Sequence, residues 1–321
     1  MPPRAGVDLG GTKIQTVVID GRHSVLGQAR VPTPVEGGPD GVAQAIAGAV
    51  IAAAGEAGVE TDSLIGVGVG SPGAIDPKAG TVTQARNLPD WDGSFALGPE
   101  LEQTLGTRVK LGNDVSVATE AEFKLGAGKP YDSILGVFWG TGVGGGLVLD
   151  GKQWVGRGAA GEIGHMVVEI GGAKCPCGRR GCMEAYAGRA AMEERARHLH
   201  KKGEKTKLFD IMEKRGRTRL TSGIWARALA AKDKMAIDLL DRAVTALGAG
   251  VASAVNLLDV EAVIIGGGLG IRLGDPYAKR IAEAMQPHLF VDDKPPLVTV
   301  AQLGDLGGAL GAALLVSSRA A

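Results

Sequence analysis

The chain reads Gly161-Glu162-Ile163-Gly164-His165 and then Cys175-Pro176-Cys177-Gly178-Arg179-Arg180-Gly181-Cys182-Met183-Glu184. These segments hold all three cysteines of the protein and one of its five histidines. Three thiolates and one imidazole make a complete tetrahedral zinc site, and the two glycines between the cysteines permit the tight turns that such a site needs. The spacing favours a zinc knuckle that would fix two carboxylates, Glu162 and Glu184, in a polar pocket.

The same cysteines have other interpretations. They are compatible with buried free thiols, which behave as small apolar residues. A disulfide is also possible, but the odd count leaves one thiol unpaired. The chain shows no secretory signal, which favours a reducing compartment. If zinc is bound, four protein ligands leave no open position for water, so its role is structural.

Length and charge narrow the classes of function. A chain of 321 residues suits two domains. Lys plus Arg and Asp plus Glu both total 35, so the formal net charge is zero and gives no electrostatic case for nucleic acid or an anionic membrane. The longest apolar runs, such as residues 309–316, are too short to span a bilayer. We expect a cytoplasmic protein that binds neither nucleic acid nor membrane.

Strand-like and helix-like segments alternate along the chain, which predicts the α/β class. The predicted strands include residues 14–19, 64–69, 109–111, 134–139, 147–149, 263–265 and 298–302. The predicted helices are residues 41–55, 99–105, 115–125, 189–202, 207–214, 223–231, 235–257, 276–285 and 308–317. Many of the 52 glycines cluster at strand ends, where a backbone can approach a ligand closely.

Two glycine-threonine hairpins indicate an internal repeat. One is Val7-Asp8-Leu9-Gly10-Gly11-Thr12-Lys13, and the other is Val137-Phe138-Trp139-Gly140-Thr141-Gly142-Val143-Gly144. We predict residues 140–146 as the turn of the second. Glycine turns are common in ordinary hairpins. Their repetition with threonine favours a duplicated fold with a phosphate-binding loop in each half.

Phosphoryl transfer needs backbone N–H groups and hydroxyls around the phosphates, together with a metal ion. The candidate phosphate-binding residues are Gly10, Gly11, Thr12 and Lys13 in the first hairpin, and Gly140, Thr141, Gly142 and Gly144 in the second. Neither turn has the Walker spacing. Asp8, beside the first turn, can hold Mg²⁺ through water or cap the turn.

Asn113-Asp114 follows a predicted strand and is the candidate for the acceptor side. A carboxylate at that position can accept the proton of a sugar hydroxyl as it attacks phosphorus. Asn113 can hydrogen-bond a neighbouring hydroxyl. The same dipeptide is also an ordinary start of a helix, with Asn113 as the N-cap.

These motifs together resemble the ROK family (repressor, open reading frame, kinase), and within it the bacterial glucokinases. They recur in the family's order over residues 5–316, and the histidine-cysteine knuckle is the most specific of them. The resemblance implies an actin-like duplicated fold of the sugar kinase/ribonuclease H type, with two α/β lobes around a cleft. We expect an N-terminal lobe of residues 1–122, against which a C-terminal helix at 306–321 packs, and a larger lobe of residues 123–305. The resemblance further implies Mg-ATP as the donor and a hexose or amino-hexose as the acceptor.

Carried over residue by residue, the resemblance makes Asp114 the catalytic base. It assigns sugar binding to Asn87, Asn113, Asp114, Glu162, His165, Glu184 and, in the Ser71-Pro72-Gly73 loop, Gly73. It assigns the adenosine loop to Gly267 and Gly268, and the structural zinc to His165, Cys175, Cys177 and Cys182. His165 would then use one ring nitrogen for zinc and the other for a sugar hydroxyl. The family often has glycine at the position of Asp90 and smaller residues at Phe138-Trp139, which bears on sugar preference.

The leading expectation is an ATP-dependent kinase that phosphorylates the 6-hydroxyl of glucose, working as a homodimer or homotetramer. Kinases of N-acetylmannosamine, N-acetylglucosamine or fructose carry the same motifs. A sugar-sensing ROK repressor is disfavoured, because the first hairpin begins at Asp8 and leaves no room for a preceding DNA-binding segment. A sugar-binding protein without catalysis is disfavoured by the presence of Asp114, Lys13 and both phosphate-type turns.

Overall fold

The computed structural model describes residues 2–85, 88 and 90–316. The chain folds as two compact units. The first comprises Met1–Gly126, Val155–Gly158 and Asp305–Ala321, and the second comprises Ala127–Trp154 and Ala159–Gly304.

The strands, in chain order, are β1 (Arg4–Leu9), β2 (Lys13–Ile19), β3 (Val25–Pro32), β4 (Val67–Ser71), β5 (Ala74–Asp76), β6 (Thr81–Thr83), β7 (Ser94–Phe95), β8 (Val109–Asn113), β9 (Ile134–Trp139), β10 (Val143–Leu149), β11 (Lys152–Gln153), β12 (Ala262–Gly266) and β13 (Leu297–Val300). The α-helices are α1 (Gly38–Glu56), α2 (Leu97–Leu105), α3 (Asp114–Leu125), α4 (Glu184–Ala187), α5 (Arg189–Lys201), α6 (Leu208–Lys214), α7 (Ser222–Ala230), α8 (Lys234–Leu258), α9 (Gly267–Leu273), α10 (Asp275–Met285) and α11 (Gly307–Leu314).

The main sheet of the first unit has the strand order β3-β2-β1-β4-β8. Strands β1 to β3 are antiparallel neighbours, whereas β4 and β8 continue the sheet parallel to β1. Helix α11 lies very close to this sheet, because side chains at Gly6 and Gly68 would collide with its backbone. Helix α1 buries Val42, Ile46 and Val50 at helical spacing against the same core.

The sheet of the second unit has the order β11-β10-β9-β12-β13, with the same sequence of antiparallel and parallel neighbours. The long helix α8 contributes a buried stripe to its core, and Trp139 and Trp225 are completely buried there. Each unit therefore repeats one topology. The duplicated α/β architecture predicted from the two hairpins is confirmed.

Most predicted elements lie within a few residues of their observed bounds, but one hairpin boundary was wrong. Strand β10 begins at Val143 rather than at residue 147, so Gly144 belongs to a strand and pairs with Phe138. Glycine in this strand serves close packing: a side chain at Gly145 would collide with Ile163 and with the backbone of Gly161. The true turn is only residues 140–142.

Several elements were not predicted. Strand β3 has mixed exposure at the sheet edge, and helix α9 is rich in glycine. A small antiparallel sheet with the order β5-β6-β7 lies in the first unit. Between β6 and β7, Trp91 donates its indole N–H to the Val82 carbonyl at 3.2 Å and meets the Phe95 ring edge-on. Strands of two or three residues carry too little periodicity to be recognised.

Among the residues described, no helix combines the length and apolar character that a bilayer crossing requires.

Candidate active site

In the first unit, polar residues collect at the carboxyl ends of three adjacent parallel strands. Asp8 of β1 lies beside Gly70 of β4, and Ser71 lies beside Asn113 of β8. Asp114 follows as the first residue of α3. The carboxyl edge of parallel strands is where open α/β sheets bind their ligands. The sheet topology thus brings Asp8, Asn113 and Asp114 to one edge, together with the turn after β1.

The turn after β1 presents its tip to solvent. Gly11 and Thr12 are exposed, while the Gly10 N–H donates to the Lys13 carbonyl at 3.0 Å. Thr33, which follows the end of β3, stabilises the turn, because its hydroxyl donates to the Gly10 carbonyl at 2.6 Å. The exposed backbone can therefore meet an anion without losing existing hydrogen bonds.

Asp8 lies behind this turn in a charged cluster. Burial raises the pKa of the Asp8 carboxyl, the neighbouring Lys13 ammonium lowers it, and Asp305 raises it again, with a net increase. Lys13 Nζ lies 3.4 Å from Asp305 Oδ1, and Arg30 Nη1 lies 3.3 Å from Asp305 Oδ2. The Asp8 carboxylate lies so close to Gly308 that any side chain at position 308 would collide with it. The cluster offers hard oxygen donors beside a phosphate-type turn, which suits Mg²⁺.

Asn113 and Asp114 are positioned by the start of helix α3. Asn113 Oδ1 accepts hydrogen bonds from the N–H groups of Val115 and Ser116 at 3.1 and 3.0 Å. Asn113 is thus the helix N-cap, and the role of its side-chain NH₂ toward a ligand stays a prediction. Asp114 Oδ1 accepts from Val115 N–H at 2.9 Å. The Asp114 carboxylate is therefore held at the N-terminus of α3.

Gly73 and Asn87 are the remaining residues predicted on the sugar side of the first unit. Gly73 has a φ of 93°, and a side chain there would collide with the Thr83 carbonyl, so the loop needs glycine at this position. Asn87 lies outside the described residues. Asp90, where the family often has glycine, has a φ of 49°. That left-handed conformation favours glycine and is tolerated by aspartate.

In the second unit, the turn after β9 is bound to the segment that follows the last cysteine. Gly140 N–H donates to the Gly142 carbonyl at 3.0 Å, and Thr141 is exposed at the tip. The N–H groups of Arg189 and Ala190 donate to the carbonyls of Gly140 and Thr141 at 3.1 and 3.0 Å.

Two side chains reinforce this attachment. Trp139 donates its indole N–H to the Ala187 carbonyl at 2.6 Å, and Glu184 Oε2 accepts from Val143 N–H at 2.9 Å. Because Trp139 is completely buried, it cannot contact a ligand directly.

The glycines after β12 approach the turn after β9. Gly267 has a φ of 78°, and a side chain there would collide with the backbone of Trp139. A side chain at Gly140 would come within 3.9 Å of Gly268 N, and one at Gly268 within 3.6 Å of Ser222 Oγ. The structure therefore brings the predicted adenosine loop and the predicted second phosphate loop together.

The knuckle residues His165, Cys175, Cys177 and Cys182 form a compact cluster, with one ligand atom of each within 4.8 Å of all the others. Cys175 Sγ lies 3.8 Å from His165 Nδ1, and Cys177 Sγ lies 3.7 Å from Cys182 Sγ. Zinc-sulfur bonds of about 2.3 Å in a tetrahedron imply sulfur-sulfur separations of about 3.8 Å. The four residues therefore fit a zinc ion.

The other nitrogen of His165 faces a carboxylate. His165 Nε2 lies 3.9 Å from Glu162 Oε2, and the Glu162 side chain is 63 % exposed. With Nδ1 toward the cysteines, Nε2 is the ring nitrogen left for a ligand. The thiols differ in acidity: burial raises the pKa of Cys175 to about 12, while the Arg179 N–H lowers the pKa of Cys177. Zinc binding would release the thiol protons.

Sequence reasoning missed Asp305 and Arg189. Both are charged residues outside any recognised motif. Asp305 meets Lys13 and Arg30 only through the return of the chain to the first unit, and Arg189 meets Thr141 through the start of α5. The helical pattern beginning at residue 189 was the only available signal for the second contact.

Known proteins resemble this chain over nearly its whole length. A family model described as "ROK family" matches residues 4–319. A glucokinase from Thermotoga maritima is 34% identical, over 98% of this chain and 97% of the relative. An N-acetyl-D-glucosamine kinase from Pectobacterium atrosepticum is 33% identical, over 97% of both.

A solved structure extends the comparison to the fold. It is a ROK family glucokinase from Streptomyces griseus in complex with glucose and AMPPNP. That protein is 32% identical, with a TM-score of 0.81 over 98% of this chain and 99% of the other.

Proposed function

The chain belongs to the ROK family, and on this basis we propose that it is an ATP-dependent hexose kinase that transfers the γ-phosphoryl group to the 6-hydroxyl of glucose. The observation that carries the proposal is one sheet edge: the carboxylate of Asp114 follows β8, two strands from the phosphate-type turn after β1. This edge combines a candidate base with a candidate phosphate site. The full-length similarity to glucokinases supports glucose as the acceptor.

The proposed reaction is a direct transfer. Asp114 accepts the proton of the 6-hydroxyl while that oxygen forms a bond to the γ-phosphorus. The bond between the γ-phosphorus and the β–γ bridging oxygen breaks, and ADP leaves. The exposed N–H groups of the turn after β1, with Lys13, bind phosphate oxygens and offset their charge. The turn after β9 and the Gly267 loop bind the nucleotide in the second unit.

Two metal ions complete the proposal. Asp8 would hold Mg²⁺ through water, and this ion would neutralise phosphate charge during transfer. The cysteine knuckle would hold one structural zinc through His165, Cys175, Cys177 and Cys182. The knuckle would then keep Glu162, Glu184 and His165 Nε2 in position to bind sugar hydroxyls.

A second candidate function is phosphorylation of an amino sugar. The similarity to an N-acetyl-D-glucosamine kinase is almost as high as that to a glucokinase. Both candidates use the same base and the same donor, so they differ only in the acceptor. The predicted cytoplasmic location and the predicted homodimer or homotetramer stay predictions.

The test is a coupled ADP-release assay on the purified protein with Mg-ATP. The panel is glucose, fructose, N-acetylglucosamine and N-acetylmannosamine. Polyphosphate, which releases no ADP, is tested as an alternative donor by measuring the sugar phosphate formed. We expect the highest kcat/KM with glucose and ATP. A higher value with an N-acetylated sugar would favour the second candidate. ADP release that is independent of every sugar would exclude both.

A further inference from the structure

We propose that Arg189 is a positioning residue of the nucleotide site, which holds the Thr141 hydroxyl so that its proton faces a phosphate oxygen. This inference rests on the proposed function, since it assumes that the turn after β9 binds the phosphates of ATP. Arg189 lies at the first position of α5, next to that turn.

Two hydrogen bonds fix the Arg189 guanidinium. Nη2 donates to Thr141 Oγ1 at 2.7 Å, and Nη1 donates to the Leu220 carbonyl at 2.8 Å. A guanidinium has donors only, so it occupies a lone pair of the threonine oxygen. The hydroxyl proton must then point away from Arg189. Because Thr141 is exposed at the tip of the turn, that direction leads to the ligand side.

The second anchor, Leu220, is itself held rigidly. Glu193, which is 3 % exposed, accepts a hydrogen bond from Leu220 N–H at 3.0 Å. The same carboxylate accepts from Arg197 at 2.7 Å and from Arg219 at 3.1 Å. The negative charge of Glu193 is thus shared by two other arginines. The network fixes the carbonyl that receives Nη1 of Arg189.

No carboxylate lies within ion-pair distance of Arg189 in the part of the chain that the structure describes, although Glu193 acts on its charge at longer range. Both of its hydrogen-bond acceptors, the Thr141 hydroxyl and the Leu220 carbonyl, are neutral. Burial lowers the pKa of Arg189, although Glu193 raises it and an arginine remains charged at neutral pH. A half-buried cation beside a phosphate-type turn complements an anion.

Backbone hydrogen bonds also hold the start of α5 against the turn after β9. Arg189 N–H donates to the Gly140 carbonyl and Ala190 N–H donates to the Thr141 carbonyl, so the helix and the turn form one framework. The side chain therefore adds only the orientation of one hydroxyl and one positive charge. These two contributions can be separated by mutation.

The experiment measures AMPPNP-Mg affinity by calorimetry, in the absence of sugar, for wild type, Arg189→Met, Arg189→Lys, Thr141→Val and Thr141→Ser. The matched control is Arg195→Met, which removes an exposed arginine from the same helix. We expect Arg189→Met and Thr141→Val to weaken nucleotide binding by about 10- to 100-fold, the usual range for a charge-assisted hydrogen bond. Arg189→Lys and Thr141→Ser should retain most of the affinity.

The double variant Arg189→Met/Thr141→Val tests whether arginine acts through threonine. We expect it to bind nucleotide no more than about threefold worse than Thr141→Val alone, because the shared interaction is already lost. In steady-state kinetics, Arg189→Met and Thr141→Val should each show a raised KM for ATP and an almost unchanged KM for glucose.

Distinct results overturn the inference. Wild-type affinity in Arg189→Met excludes a role in the site, and multiplicative losses in the double variant exclude action through Thr141. If Arg189→Met does not fold, Thr141→Val decides, since a loss of nucleotide affinity below twofold in that variant contradicts the proposal. A wild-type protein that binds no AMPPNP instead refutes the proposed function.

Discussion

The Glu184 carboxylate accepts a hydrogen bond from the backbone N–H of Val143 at 2.9 Å. Glu184 begins α4 just beyond Cys182, and Val143 begins β10 just after the turn at residues 140–142. Glu184 is a predicted sugar-binding residue, and one of its carboxylate oxygens thus also supports the turn that is predicted to bind the nucleotide. This arrangement links the knuckle to the nucleotide site within one unit.

The first prediction separates the two roles of Glu184. Glu184→Ala removes both, so we expect the affinities for glucose and for AMPPNP to fall about tenfold or more. Glu184→Gln keeps an oxygen that can accept from Val143, so its nucleotide affinity should stay within about threefold of wild type. Separate calorimetric titrations check this. Unaltered nucleotide affinity in Glu184→Ala would contradict the linkage.

The second prediction concerns the base. Asp114→Asn should lower kcat by about a hundred- to ten-thousand-fold, while glucose still binds, because the amide cannot accept the hydroxyl proton. The matched control is Asp40→Asn, which changes an exposed aspartate in the first turn of α1. Retention of more than about a tenth of wild-type kcat would show that Asp114 is not the base.

The third prediction concerns the knuckle. Elemental analysis of the purified protein should find one zinc per chain, and Cys177→Ser should lose it, because a four-ligand site without one thiolate binds zinc weakly. Glucose affinity and Tm should both fall, since metal binding stabilises the local fold. Lys174→Ala, an exposed change in the same knuckle, is the control. A wild-type protein without stoichiometric zinc would refute this assignment.

The fourth prediction uses the pKa of Asp8. Burial raises this pKa above the unfolded value of about 3.9, so the protonated carboxyl favours the folded state. That stabilisation is complete below about pH 3.9 and is lost as the pH rises through the folded pKa. Asp8→Asn does not ionise, so its Tm should exceed that of wild type at pH 7 and the excess should shrink toward pH 4.

Activity of Asp8→Asn should fall even though the variant is more stable, because the carboxylate is proposed to hold Mg²⁺. Thermal scans across the pH range, with kinetics at pH 7, check both parts. A Tm excess that grows as the pH decreases would contradict the assigned sign.

The predictable parts of the fold were those with strong local patterns. Strand β9 was predicted with its observed bounds, Ile134–Trp139, because a continuous apolar run lies between turn residues. The predicted start of strand β10 was wrong, because Gly145 serves close packing against Ile163 and does not belong to a wide turn. Local sequence does not encode which neighbour a glycine faces.

In the candidate site, too, the residues that belong to a local motif could be recognised, whereas those whose roles depend on distant contacts could not. The role of Asp114 as base stays a prediction, because Asn113-Asp114 is also an ordinary helix start. The clustering of the four knuckle residues, with one ligand atom of each within 4.8 Å of the others, was predictable from their spacing. Asp305 and Arg189 were not, because their roles arise from contacts made by distant segments, such as Lys13 with Asp305. A lone charged residue gives no sign of the partner that the fold supplies.

Product analysis tests the central claim most directly. The purified protein is incubated with glucose, Mg²⁺ and ATP, and the products are identified by phosphorus NMR, with Asp114→Asn in parallel. The proposed kinase predicts ADP and glucose 6-phosphate in equal amounts with wild type, and almost none with the variant. Inorganic phosphate in place of a sugar phosphate, or equal product from Asp114→Asn, would contradict it.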